Sequence, residues 1–344
     1  MIAFMDFLCD RPHAFSLKSA KPFLSALWRK KNLILLKHFF DAIQAELTHI
    51  GQLLEERALP YEVAKIRINN MLCYLAYTEP DVIRQHTITV PVYDETSKTW
   101  RMQSYHIKPI ELTPQWMRLC ATPYYAYGLV PQNLGINAQL LLMGTTYPAA
   151  RGSFWTYFFD LFPGFSVGSL LFQLGKSSIT KFVNQQTCDA VLCHGQSLGG
   201  SLSIQTAKAC PKIQAYAHVP AGQLRRDKKF LGKNVTIYVQ GQDPISKIGH
   251  LPPKAHYFYV TPSPAGLATK AGLTGQIFSH VASLASNPKA VLQAVTPEWI
   301  EQRSGRKGWT LLYNLLSFVL MPLILIPFLL MNTLIRIITF SLKE

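Results

Sequence analysis

The chain has 344 residues, of which 49% are hydrophobic and only 15% charged, enough for one large domain with additions or for two. The formal net charge of +15 calls for an anionic partner, but the basic residues are dispersed and no nucleic-acid-binding motif occurs, so a lipid surface fits better than DNA or RNA. None of the six cysteines forms a C-x-x-C pair, which speaks against a zinc site or redox motif and for reduced thiols on a cytosolic side.

The first segment, residues 1–84, reads as helical. Asp6, Asp10 and Arg11 fall where a secretion signal would need its apolar core, so no cleavable signal is expected. Pro22–His49 carries Leu24, Leu27, Leu33, Leu36, Phe40, Ile43 and Leu47 at helical spacing, with Lys18, Lys21, Arg29, Lys30, Lys31 and Lys37 near its start. A membrane-surface helix and a packed helix with a solvated basic face both fit. A second helix is predicted over Glu62–Tyr77. Thr87–Tyr93 and Thr99–Ile107 alternate in the manner of a β-hairpin. Gln115–Leu119 fits a short helix, and Ala138–Met143 a buried strand. Phe154–Phe165, FWTYFFDLFPGF, suits either a lid over an acyl-chain groove or core packing. A helix follows over Gly168–Asn184. Later strands are expected at Ile213–Val219, Val235–Gln240 and His256–Val260, each closed by a turn, and a helix at Ile277–Ala285. Strands alternating with helices predict a mostly parallel sheet covered on both faces.

From Gly308 to Ile335 no residue is charged, and Leu311–Met331 is almost wholly apolar. A run of that length spans a bilayer as helix. Pro322 and Pro327 would kink such a span or turn a shallow hairpin, and a buried core helix is the soluble alternative.

The organising stretch is Asp189–Gly200. Ala190–Cys193 reads as a buried strand, Gly195-Gln196-Ser197-Leu198-Gly199 fits G-x-S-x-G, and a helix-compatible segment follows. In a sharp strand-to-helix turn Ser197 projects as a nucleophile, and Gly195 and Gly199 let the two chain segments approach closely. A serine hydroxyl needs a base and an acid that orients it, in the chain order Ser, acid, His. Asp227 sits among basic residues and reads as a surface pair, and Glu298 and Glu301 precede no histidine. Asp243, in the turn after Val235–Gln240, is the expected acid. His280, after the last of these strands, is the expected base, with His250 in reserve. The N–H of Leu198 and Thr145, directly after the strand ending in Met143-Gly144, would form the oxyanion hole.

The strand-Gly-Thr at Leu140–Thr145, GQSLGG at Gly195–Gly200 and DPISKIGHLPP from Asp243 resemble the class 3 lipases. That family has a strand-GT oxyanion loop, a GHSLGG elbow and a DxVPxLPP acid loop. The resemblance covers roughly Gln139–Ser286. Gln196 stands where the family has His, Met143 where Arg is common, and Asp243 and His280 are closer in sequence than usual. It implies an α/β-hydrolase fold, lipid-ester hydrolysis without cofactor or metal, and Ser197, Asp243 and His280 as nucleophile, acid and base. The expected organisation is a helical region at 1–84, a hydrolase domain at 85–300, and a basic linker with a hydrophobic membrane anchor at 301–344. The expected partners are a lipid ester and an anionic membrane surface. A thioesterase or acyltransferase would use the same residues, and a non-catalytic membrane-tethered platform is the non-enzymatic alternative.

Overall fold

The computed structural model describes residues 32–327 and 330, with breaks at 79, 84–85, 95–96, 120–122, 134, 146–152, 163, 226, 241–242, 262–271, 273–279, 281–291, 297 and 300–305. Nine strands form one mixed sheet in strict sequence order: β1 (Thr87–Asp94), β2 (Thr99–Glu111), β3 (Tyr125–Pro131), β4 (Ala138–Leu142), β5 (Val191–Gln196), β6 (Ile213–His218), β7 (Val235–Gln240), β8 (His256–Val260) and β9 (Leu292–Val295). The expectation of a mostly parallel sheet needs correction. β4 to β8 run parallel, whereas β1, β2, β3 and β9 pair antiparallel with their neighbours. For two of these pairs connector length is the reason: the links β1–β2 and β3–β4 are too short for the crossover that parallel pairing requires.

Helices α1 (Asn32–Glu55) and α2 (Tyr61–Leu75) precede the sheet, followed by a single turn, α3 (Pro80–Ile83). α1 packs on β1 and β2 and α2 on β4 and β5. Their buried residues Ile43, Leu47, Ile50, Leu72 and Leu75 belong to the same apolar core as β4 and β5, so the described part of the predicted packed helix has a core face. α4 (Ser153–Leu161) and α5 (Ser169–Asn184) lie between β4 and β5 in the chain, and α6 (Leu198–Ala209) follows β5 directly. Every residue of β4 is buried, as expected of a central strand covered on both faces. Within α4, Trp155 and Phe159 are core residues, as core packing predicts, while Phe165 beyond its end is exposed. Cys73, Cys188, Cys193 and Cys210 are free thiols. Asp227 pairs with Lys208 at 2.5 Å.

The chain ends, within the described residues, in α7 (Arg306–Leu320), which passes into a π-helical turn at Met321–Leu325. Pro322 has no N–H to continue the α ladder, which accounts for the widened turn at that point. Among the described residues no helix is long and apolar enough to cross a membrane. The described part of the run is not the buried core helix, because Leu311, Leu315, Phe318 and Val319 are exposed. The predicted helix at Ile277–Ala285 lies outside the described residues except for His280.

The turn from β5 into α6 is held by contacts that allow no side chain. A Cβ on Gly195 would fall 2.1 Å from the Gly199 carbonyl oxygen, and one on Gly199 would fall 2.1 Å from that of Leu142. Both obstacles are backbone, so neither can yield. Gly199→Ala is expected to destabilise the fold by about 3 kcal/mol or more, read as a lowered urea midpoint. An unchanged midpoint would mean that α6 does not sit against the end of β4.

Candidate active site

Ser197 sits between β5 and α6 with φ 56° and ψ −119°, a conformation that ordinary residues avoid. Its N–H donates to the His218 carbonyl at 2.9 Å, and its own carbonyl accepts the Ser201 N–H at 3.0 Å. The turn is thereby pinned to β6 on one side and to α6 on the other. Strain of this kind persists only where surrounding structure over-determines it. Val219, with φ 42°, is a second strained residue at the end of the adjacent strand.

Three side chains meet at this turn from distant parts of the chain. The Ser197 hydroxyl lies 2.8 Å from His280 Nε2. His280 Nδ1 lies 2.8 Å from Asp243 Oδ1. Asp243 is buried, just beyond the end of β7, and its carboxylate also accepts the N–H of Ile245 and of Ser246, each at 3.0 Å. A carboxylate can only accept, so Nδ1 carries the imidazole proton and Nε2 is left as the acceptor for the serine. This is the relay that lets an imidazole take a proton from a hydroxyl. His250, the reserve base, is exposed, and its backbone forms an isolated antiparallel bridge with Gln223. His194 and His218 lie within the sheet, stacked on Tyr216 and Tyr238, and burial pushes both down to about 3. They stay neutral at physiological pH and take no part in the relay.

Gln196, which stands where the resemblance would have a histidine, has a use here. Its Nε2 donates to the backbone carbonyl of His280 at 3.3 Å. This bond ties the segment carrying His280 to the last residue of β5.

The end of β4 abuts the turn. A Cβ on Gly144 would fall 2.6 Å from the Gln196 carbonyl oxygen, so the chain passes the serine closely before reaching Thr145. Leu198 opens α6, where the first N–H groups of a helix have no intrahelical acceptor and suit a negative charge. The Thr145 hydroxyl donates to Asp160 Oδ2 at 2.5 Å. If Thr145 supplies the second oxyanion donor, its backbone N–H is the group free of that bond.

Asp160 went unnoticed in the sequence because only carboxylates after Ser197 suited the triad order. A lone acid within FFDLF was nevertheless a signal, since an apolar run rarely holds a charge without a reason. Burial raises its pKa to about 7, partly offset by the Thr145 hydroxyl and the nearby His280. An unfolded aspartate ionises near about 4, so the folded chain holds a proton there that the unfolded chain releases. Its contribution to stability therefore falls as pH rises between those two values. Asp160→Asn removes the titration, so the variant is expected to gain on the parent from about pH 4 to about pH 7 in urea unfolding. A constant difference would mean that Asp160 is ionised throughout.

No group of His, Cys, Asp and Glu suited to a metal ion occurs among the described residues. No family model matches the chain, and no curated protein is similar to it at a significant level.

Proposed function

We propose that the chain is a serine hydrolase of α/β-hydrolase fold and class 3 lipase type, which cleaves carboxylic esters of lipids through an acyl-enzyme. The observation that carries this reading is the pair of 2.8 Å bonds joining Ser197, His280 and Asp243 at a strained strand-to-helix turn. In the proposed reaction His280 Nε2 takes the Ser197 proton as the oxygen attacks the ester carbonyl. The oxyanion forms against the N–H groups of Leu198 and Thr145. The imidazolium, steadied by buried Asp243, passes its proton to the leaving alcohol, and the alcohol departs. Water then enters, gives its proton to His280, and releases the fatty acid from Ser197 by the reverse sequence. A thiol in place of the leaving alcohol would give thioesterase chemistry, and a second alcohol in place of water acyltransferase chemistry, with the same residues. The aromatic chain Phe158–Phe162–Phe165, ending in an exposed ring beside the helix that bears Asp160, supports an apolar acyl group as substrate.

The test is a fluorophosphonate probe. The purified protein is expected to be labelled, and Ser197→Ala to be blank. A folded parent that takes no label would leave the non-catalytic platform as the better account.

A further inference from the structure

α7 is amphipathic in the wrong sense for a helix in water. Its polar residues Thr310, Tyr313 and Ser317 face the protein. The Thr310 hydroxyl accepts the Gly249 N–H at 2.9 Å, the Tyr313 hydroxyl donates to the Asp160 carbonyl, and Ser317 is fully buried. Among the described side chains its outward face is apolar: Leu311 is 62% exposed, Leu315 58%, Phe318 63% and Val319 55%, and Leu323 continues the face into the π-helical turn. In a water-facing helix the polar residues would lie outside and the apolar ones against the core. The reversed arrangement, with the inward polar groups satisfied by hydrogen bonds, suits a helix whose outer face meets hydrocarbon.

We infer that α7 lies along the surface of an anionic phospholipid bilayer, with its outward leucines, Phe318 and Val319 immersed and the protein body above. The chain's charge is of the complementary sign: the net charge is +15, and Arg306 and Lys307 open the helix. The sequence continues without a charged residue to Ile335, so nothing along it opposes contact with lipid. Trp309 at the start of the helix, with Lys247 Nζ 5.8 Å from its ring centre, has the amphipathic character favoured at a bilayer–water boundary.

The seat bears on the candidate active site from two sides. Thr310 and Trp309 touch the Gly249 and Lys247 end of the Asp243 loop, and Tyr313 touches the carbonyl of Asp160 in α4. These contacts tie the segments that carry Asp243 and Asp160 to the helix that meets the lipid from which the ester is drawn. That use of the seat rests on the hydrolase reading; the seat itself does not.

The experiment is co-sedimentation of the full chain with vesicles of phosphatidylcholine, with and without about 30% phosphatidylserine. The parent is expected to bind, and more strongly with phosphatidylserine. The triple variant Leu311→Glu, Leu315→Glu and Val319→Glu is expected to bind at least about 100-fold more weakly, since three aliphatic side chains lose their apolar partner. Leu315→Glu alone is expected to lose about tenfold, and serves should the triple variant fail to fold. A thermal midpoint equal to the parent's shows that the variants are folded. Undiminished vesicle binding by folded variants overturns the inference, as does a parent dimer that the variants split while vesicle binding is unchanged, because a second copy would then cover the face. Equal binding to both vesicle types overturns the anionic requirement. Loss of vesicle binding by the variants, together with a parent that neither hydrolyses esters nor takes the fluorophosphonate label, leaves the seat standing and removes the hydrolase reading.

Discussion

His280→Ala is expected to lower kcat on a short soluble ester by about six orders of magnitude, as much as Ser197→Ala does, because nucleophile and base act as one unit. The two changes combined should cost no more than either alone. The geometry behind this is specific: one imidazole touches both the Ser197 hydroxyl and the Asp243 carboxylate at 2.8 Å. His250→Ala is the control, since that side chain is exposed. Its kcat is expected to stay within about twofold of the parent, as for most surface changes away from special features. Steady-state turnover of the variants decides the matter. A collapse of activity in the His250 variant, with the His280 variant active, would reassign the base.

Asp243→Asn is expected to lower kcat by about four orders of magnitude while leaving the protein folded. The carboxylate fixes the imidazole tautomer by accepting from Nδ1. An asparagine in the same place can turn its NH₂ toward the ring, which favours the proton on Nε2 and deprives Ser197 of an acceptor. The substitution has a second consequence. Oδ1 and Oδ2 also accept the N–H groups of Ile245 and Ser246, which start the turn over Ile245–Lys247. An amide offers one acceptor where the carboxylate has two, so the loop should lose about 1–2 kcal/mol of stability in addition. Kinetics and urea unfolding of the same preparation separate the two effects. A variant with normal kcat and a lowered midpoint would reduce Asp243 to a loop cap.

The elements around the serine could be read from the sequence because their causes are local. Val235–Gln240 and His256–Val260 match β7 and β8 to the residue, since each is a short apolar run closed by a strong turn former. The strand, glycines and helix around Ser197 follow from close approach within a dozen residues, which the sequence displays directly. The elements that escaped notice lack such signals. β3, YAYGLVP, contains Gly128, where a Cβ would fall 2.2 Å from the Phe182 ring, so its glycine answers to α5 rather than to its own strand. β9 has four residues, LQAV, and exists by pairing with β8.

By itself the sequence determined the strand-to-helix turn at Ser197, the position of Asp243 at a strand end and the apolar character of the last segment, because each is written in neighbouring residues. The tertiary structure decided what depends on separation in space. It set His280, and not His250, against Ser197 and Asp243, brought Asp160 to the Thr145 hydroxyl, and directed Gln196 to the His280 carbonyl. It also laid Tyr313 against α4, leaving Leu315 and Val319 facing outward. Hydropathy counts how much apolar surface a segment carries; only packing against the rest of the chain determines which side of the helix presents it.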